Sequence, residues 1–255
     1  MLYAQWLHYF QFNADHFHQI KWATPDLLTP REQKLIRSSI QQFQKGENSE
    51  GKNLWRNAIR YSKINNDNSY ARTIELFIKE EQMHARVLGT FMKRHNIPKI
   101  TSHWMDSVFR RLRNLAGLEL SVIVLTTAEI ISTVYYKALY AVTNSSLLKE
   151  ICEQILKDEE MHVNFQAFTI RDFNYKRHYL LKNFITLAHY TLLFGTTVFV
   201  YIWHGNVLRA GGYNFNKFMK EVFKEMDRVA SMVNNKKPIV IENPVVLFDE
   251  MSTQS

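Results

Sequence analysis

The sequence predicts an all-α fold, a four-helix bundle with one long crossover and helical additions at both ends. Apolar residues recur at helical spacing in long segments, and only 8 Gly and 5 Pro interrupt the 255 residues. Two predicted helical hairpins are joined by one longer connection, the pattern of a bundle with a crossover. We expect a single domain over 1–255, with the bundle over 30–172. Residues 1–29 should form an N-terminal arm or helix, and 173–255 C-terminal helices and an extended tail.

The first predicted hairpin begins with a capping signal. The sequence TPRE at 29–32 supplies an N-cap, a proline at the first helical position and an acidic residue in the first turn. We expect this helix to continue to Lys63, with the turn NNDNS at 65–69. The second helix should then run to Arg94, because Pro98 soon ends the helical region.

The second predicted hairpin follows a basic connection over 95–114. Its first helix covers about 115–142, and its second covers about 146–172. A further segment, 184–203, has no Asp, Glu, Lys or Arg, and twenty residues can span a bilayer. Because that segment carries a histidine and four threonines, we expect a helix buried against the bundle, with a membrane-facing helix as the alternative. An amphipathic helix over 213–233 should precede the extended tail.

A repeated motif marks the second helix of each hairpin. The segments IKEEQMH and LKDEEMH, which end at His84 and His162, are identical at four of seven positions. Each contains Glu-x-x-His, beginning at Glu81 and Glu159. On a helix, residues three apart share a side, so each motif presents a carboxylate and an imidazole together. A single match would indicate an ordinary helix ion pair, but the repeat indicates a shared site.

The first helix of each hairpin supplies one further carboxylate. Glu129 precedes Glu159 by 30 residues, and Glu50 precedes Glu81 by 31. In a continuous helix Glu47 would lie about 4.5 Å from the level of Glu81. We therefore choose Glu50 and keep Glu47 as an alternate ligand or a supporting group. The expected ligands are Glu50, Glu81, His84, Glu129, Glu159 and His162.

Such a ligand set predicts two bound metal ions. Four buried carboxylates repel one another, and two divalent cations would neutralise them. Carboxylates with one imidazole per metal suit two iron ions, two manganese ions or a mixed pair. Cys152 is the one cysteine, which excludes a disulfide framework and any Cys-rich metal site. Glu80 and Asp158 could accept a hydrogen bond from the imidazole of the opposite motif, or be surface charges.

The layout of two Glu and two Glu-x-x-His, over about 30–172, resembles the ferritin-like carboxylate di-iron superfamily. The EEQMH and DEEMH sequences are similar to the paired motifs of acyl-carrier-protein desaturases and related oxygenases. The resemblance implies an O₂-dependent oxidoreductase, desaturase-like or hydroxylase-like, with an apolar or acyl-type substrate and an external electron donor. The alternative is a ferroxidase or iron-handling protein without an organic substrate. A third class is a helical interaction protein with structural metals.

The charge indicates which partners to expect. A net charge of +8 is typical of a solvated basic surface, or of a protein with an acidic partner such as a carrier protein, anionic lipid or RNA. No nucleic-acid motif is present, so we expect no nucleic-acid partner. The N-terminal MLYAQWLHYF lacks the pattern of a signal peptide, which predicts a cytoplasmic protein. Peripheral membrane association and a homodimer are left open.

Overall fold

The computed structural model describes residues 3–48, 51–101, 117–175 and 177–235. Every regular element in these ranges is an α-helix, so the all-α prediction is confirmed. The helices are α1 (Ala4–Asp15), α2 (Pro30–Glu47), α3 (Lys52–Asn65), α4 (Ser69–Arg94), α5 (Leu118–Val142), α6 (Ser146–Asn174), α7 (Tyr179–Ala210) and α8 (Phe215–Asn234).

The helices pack as two hairpins side by side. Helices α2 and α3 both pack on α4, and α5 packs on α6. Contacts of α4 with α6, and of α3 with α5, join the two hairpins, while α1 lies on α4 and α7 and α8 cover α5 and α6. Part of the predicted crossover, residues 102–116, lies outside the described residues, as does the predicted tail beyond residue 235.

The start of α2 follows the capping prediction. The Thr29 hydroxyl accepts a hydrogen bond from the Glu32 backbone N–H at 3.2 Å, and the Glu32 carboxylate accepts one from the Thr29 N–H at 3.1 Å. This reciprocal capping box satisfies two backbone donors that the helix leaves without partners. Pro30 occupies the first helical position, where its missing N–H costs nothing.

The prediction of one continuous helix from 29 to 63 is wrong. Helix α2 ends at Glu47 and α3 begins at Lys52. The break passes through Gly51, whose φ of +60° is a left-handed conformation that a side chain disfavours. A Cβ at this position would also meet Ile78 Cδ1 at 2.5 Å. Glycine therefore permits a change of chain direction that helical periodicity did not reveal.

Substitution of Gly51 tests this break. We expect Gly51→Ala to lower the free energy of unfolding by about 2 kcal/mol, because of the left-handed backbone and the contact with Ile78. The matched control is Gly46→Ala, since a Cβ there meets nothing within 4 Å. That variant should be neutral, or stabilised by up to about 1 kcal/mol. Equal urea midpoints for the two variants would contradict the position of the break.

The N-terminal arm is fastened to the bundle at Asp26. Its carboxylate accepts hydrogen bonds from the Ser145 hydroxyl at 2.7 Å and the Leu147 N–H at 3.3 Å, and lies 2.9 Å from His95 Nε2. Burial alone would raise the pKa of Asp26, but these hydrogen bonds outweigh it and lower the pKa. Asp26 thus links the arm to the end of α4 and the start of α6.

We expect Asp26→Ala to destabilise the protein by about 2 kcal/mol at neutral pH, since hydrogen bonds to a charged group are lost. A carboxyl whose pKa is lowered by folding stabilises the folded state above its unfolded pKa of about 3.9. The difference from the wild type should therefore shrink as the pH falls below about 4. The exposed Asp15 provides the control, and Asp15→Ala should change stability by less than about 0.5 kcal/mol.

The apolar helices α5 and α7 differ in how they are packed. Both are long and apolar enough to cross a membrane by length and composition, a test that core helices of soluble proteins also pass. In α5 the apolar window is 67% buried within the protein, but in α7 it is 22% buried. One side of α7 packs on the bundle and the other is exposed. The expectation that the helix over 184–203 is buried therefore holds for one side only. Hydropathy measures how apolar a helix is, but not whether other helices pack against it.

Candidate metal centre

The two motif helices bring their carboxylates and imidazoles together. Glu81 and His84 lie one helical turn apart on α4, and Glu159 and His162 do so on α6. Glu129 faces them from the middle of α5. The fold therefore gathers into one place five residues that are distant in sequence.

At the sixth position the described residues contain the alternate ligand that the sequence interpretation kept. Glu47, the last residue of α2, belongs to the cluster. Glu50, the preferred choice, lies outside the described residues. The argument for Glu50 counted residues along a continuous helix, and the break before Lys52 removes its premise.

The cluster consists of two overlapping groups of four residues. In each group one ligand atom per residue can be chosen so that all four lie within 4.8 Å of one another. Glu81 and Glu159 belong to both of these groups, and each histidine belongs to one of them. His84 also belongs to a third group, with Glu80 and Asp158. The two groups of four are Glu47, Glu81, His84 and Glu159, and Glu81, Glu129, Glu159 and His162.

Several buried ligand atoms have no hydrogen-bond partner among the described residues. They include His84 Nδ1, His162 Nδ1, Glu81 Oε1 and both carboxylate oxygens of Glu159. His162 Nδ1 lies 3.0 Å from Glu81 Oε1 and 3.7 Å from Glu159 Oε2, and His84 Nδ1 lies 3.6 Å from Glu81 Oε1. Buried polar atoms are rarely left without partners. These atoms converge without satisfying one another, as metal ligands do.

The carboxylates of the cluster are buried close enough together to repel one another. Burial raises the pKa of Glu47, Glu129 and Glu159. The neighbouring carboxylate of Glu81 raises the first two further, and that of Glu129 raises the pKa of Glu159. Ionised carboxylates in such a position need cations nearby.

The same carboxylates favour the protonated form of the two imidazoles. Burial alone would lower the pKa of His84 and His162, but the surrounding carboxylates outweigh burial and raise both. Asp158 and Glu81 act on His84, while Glu159, Glu80 and Glu81 act on His162. The field of the cluster is therefore strongly negative and favours positive charge.

Each imidazole faces a carboxylate from the opposite motif on its other side. His84 Nε2 lies 3.0 Å from Asp158 Oδ2, a hydrogen bond between the two hairpins. His162 Nε2 lies 3.7 Å from Glu80 Oε2, which is a close ionic contact but too long for a hydrogen bond. Asp158 therefore has the hydrogen-bonding role considered from the sequence, whereas Glu80 is buried beside the opposite imidazole without a hydrogen bond to it.

Four polar residues that the sequence interpretation missed support the cluster. Three of them donate hydrogen bonds to its carboxylates: Tyr136 to Glu47 at 2.6 Å, Gln166 to Glu129 at 3.2 Å, and Gln154 to Asp158 at 2.8 Å. The fourth, Asn13 of α1, donates to Glu80 and lies 3.4 Å from Asp158.

The supporting residues differ in whether the sequence could have indicated them. Gln154 lies one helical turn before Asp158, and Tyr136 lies two turns after Glu129, so helical spacing could have suggested both. Asn13 has no such signal, because its position depends on how α1 packs against α4.

Aromatic side chains close one end of the cluster. The Phe10 ring is stacked against the His162 ring at a centroid distance of 5.9 Å, and the Phe77 ring lies at 4.7 Å. Both phenylalanines are buried. They exclude water from this side of the imidazole and strengthen the electrostatic interactions within the cluster.

The described residues thus define an all-helical protein with a buried carboxylate and histidine group that could hold metal. Comparison of the chain with protein-family models, curated proteins and solved structures gave no match. The functional interpretation therefore depends on the residues of the cluster themselves.

Proposed function

We propose that this chain binds two ions of iron or manganese in a ferritin-like four-helix bundle, in which α2 and α3 together take one position and α4, α5 and α6 take the other three. We further propose that it acts as an O₂-dependent oxidoreductase on an apolar organic substrate, in the manner of a desaturase or hydroxylase. The observation that carries the proposal is the pair of four-residue groups that share two carboxylates.

The two groups suggest a ligand assignment. Glu47 and His84 would bind one ion, and Glu129 and His162 the other. Glu81 and Glu159, which belong to both groups, would contact both ions. Four carboxylates match the charge of two divalent cations, and a set of oxygen and nitrogen ligands suits iron or manganese. The buried atoms without partners are the observation that favours this fit.

Residues around the ligands have their own roles in this proposal. Asp158 holds the Nε2 side of His84, which leaves Nδ1 directed at the cluster. Tyr136 fixes one carboxylate oxygen of Glu47, and Gln166 fixes one of Glu129. The metal ions, when bound, would supply two of the four electrons that reduce O₂, the oxidised substrate would supply the other two, and an external electron donor would return the ions to the divalent state. The protein would supply orientation, charge balance and a water-poor surrounding.

Two observations favour an organic substrate over iron handling. The net charge of +8 repels cations, whereas a protein that takes up iron in quantity benefits from negative potential along its surface. The cluster is also deeply buried, and Glu81, its most exposed member, has a side chain only 14% exposed. A small centre with aromatic neighbours suits a reaction at a fixed pair of ions.

The choice between Glu47 and Glu50 can be tested directly. We expect Glu47→Ala to lower metal occupancy more than Glu50→Ala, because Glu47 belongs to one of the four-residue groups. Metal analysis after anaerobic loading and desalting would measure both. The reverse order would return the ligand role to Glu50 and leave the rest of the assignment intact.

The proposed activity is tested by loading the protein with Fe(II) anaerobically, admitting O₂, and recording O₂ uptake with and without lipid or acyl-carrier extracts. We expect uptake that depends on an apolar component of the extracts. Rapid oxidation of iron beyond two ions per chain, independent of every extract, would favour the iron-handling alternative. A loaded protein that consumes no O₂ would favour structural metals. Glu129→Ala should lose activity, and Glu119→Ala, on the same helix, should keep it.

A further inference from the structure

One side of α7 presents an exposed apolar surface, which we call the outer face of α7. Its residues are 49–67% exposed, and all of them except Trp203, at the C-terminal end, lie at helical spacing along one side. They are Leu180, Phe184, Leu187, Phe194, Ile202 and Trp203. The opposite side of the helix packs on the bundle through His189, Leu193, Thr197 and Val200. About half or more of each of these side chains is therefore open to solvent, along the length of the helix.

The outer face also lacks charge. From residue 183 to residue 208 the chain contains no Asp, Glu, Lys or Arg. A helix side exposed to water usually carries charged residues, and an apolar one usually meets a partner or a membrane. From Leu180 to Trp203 the face extends for about 35 Å along the helix axis. A surface this long and this apolar indicates a binding surface.

We propose that the outer face of α7 binds an anionic lipid bilayer, with the helix lying in the plane of the membrane surface. A spanning helix is disfavoured because the packed side of α7 is covered by protein and α8 beside it carries charged residues. The arrangement is that of an interfacial helix, whose apolar side enters the boundary between headgroups and acyl chains.

Charge complementarity identifies the lipid as anionic. Lys182 and Arg209 stand at the two ends of the uncharged stretch, and the chain as a whole carries +8. Basic residues beside an apolar helix face are attracted to anionic headgroups. Tyr179 and Trp203, near opposite ends of the face, are exposed and have the amphipathic rings that favour the membrane boundary.

The same charges disfavour a second copy of the chain as the occupant. Antiparallel pairing of two α7 helices would bring Lys182 of one copy towards Arg209 of the other, and parallel pairing would bring identical basic residues together. No acidic residue within 183–208 could compensate. A bilayer with anionic headgroups provides the missing negative charge. This proposal goes beyond the proposed metal chemistry and does not depend on it.

The test is co-flotation of the full chain with vesicles of phosphatidylcholine containing phosphatidylserine. We expect the wild type to float with these vesicles, and to do so less with phosphatidylcholine alone or at high salt. Leu187→Glu and Phe194→Glu should each lower the partition coefficient about tenfold or more, since each puts a charge into the apolar boundary. The matched control is Ile64→Glu on α3, at a residue that is 83% exposed, and it should float like the wild type.

Circular dichroism would establish that each variant remains folded, and size-exclusion chromatography with light scattering would measure its mass. Loss of flotation in the outer-face variants with retained helix content supports the proposal. Flotation of those variants at the wild-type level would overturn it, as would a wild type that ignores anionic vesicles. A wild-type dimer that Leu187→Glu converts to a monomer, with no binding to vesicles, would identify a second copy as the occupant and overturn it too.

Discussion

Glu159→Ala is expected to lose both of the proposed metal ions, whereas Glu129→Ala is expected to retain one of them. The difference follows from the overlap of the two groups, because Glu159 belongs to both and Glu129 to one. Removing a shared carboxylate takes a ligand and a negative charge from both ions at once. Glu129 belongs to one group only. Its removal leaves all four ligands of the other group, which contains Glu47 and His84, in place. Metal analysis of protein loaded anaerobically and then desalted would measure the two stoichiometries.

The neighbouring residue provides the control for this prediction. Glu160 follows Glu159 on α6 but is exposed, so Glu160→Ala should retain the wild-type metal content. If Glu129→Ala and Glu159→Ala lost the same amount of metal, the sharing of carboxylates between two sites would be contradicted. If Glu160→Ala lost as much as Glu159→Ala, the loss would reflect the charge of the helix and not ligation.

Removal of the proposed metal ions should lower the thermal midpoint by on the order of 10 °C. A ligand that binds only the folded protein stabilises it by about 4 kcal/mol when its free concentration is about 1,000 times its dissociation constant. For a chain of this size each kcal/mol corresponds to about 2–4 °C. The buried carboxylates also repel one another once the cations are gone. Differential scanning calorimetry before and after chelation would measure the change.

Restoring the metal and repeating the chelation on a ligand variant are the controls for this experiment. Restoring Fe(II) or Mn(II) under anaerobic conditions should recover the original midpoint. In Glu159→Ala the chelator should have little effect, because the ions are already absent. A wild-type midpoint that is unchanged by complete chelation would mean that the cluster does not bind metal in the folded state.

The repeated motif made much of the cluster predictable from the sequence. A Glu-x-x-His pair fixes its own geometry, since both residues belong to one helical turn. Two copies in two predicted hairpins therefore indicated that Glu81, His84, Glu159 and His162 would meet. Glu129 followed from its distance before Glu159. Local spacing of this kind survives small errors in helix boundaries.

The remaining features depend on tertiary structure. The choice between Glu47 and Glu50 depended on a break at Gly51, where a left-handed residue interrupts a regular apolar pattern. Asn13 reaches the cluster only because α1 packs on α4. The exposure of α7 depends on how many helices cover it, and a run of apolar residues is the same whether it is buried or not.

The most direct test of the proposed two-metal centre is an anaerobic titration of the metal-free wild-type protein with Fe(II), followed by metal analysis after removal of unbound iron. Two overlapping ligand groups predict binding that saturates at two ions per chain. Saturation at one ion, or no retained iron, would contradict a paired site. Retention that continued to rise beyond two would contradict a closed centre of six ligands.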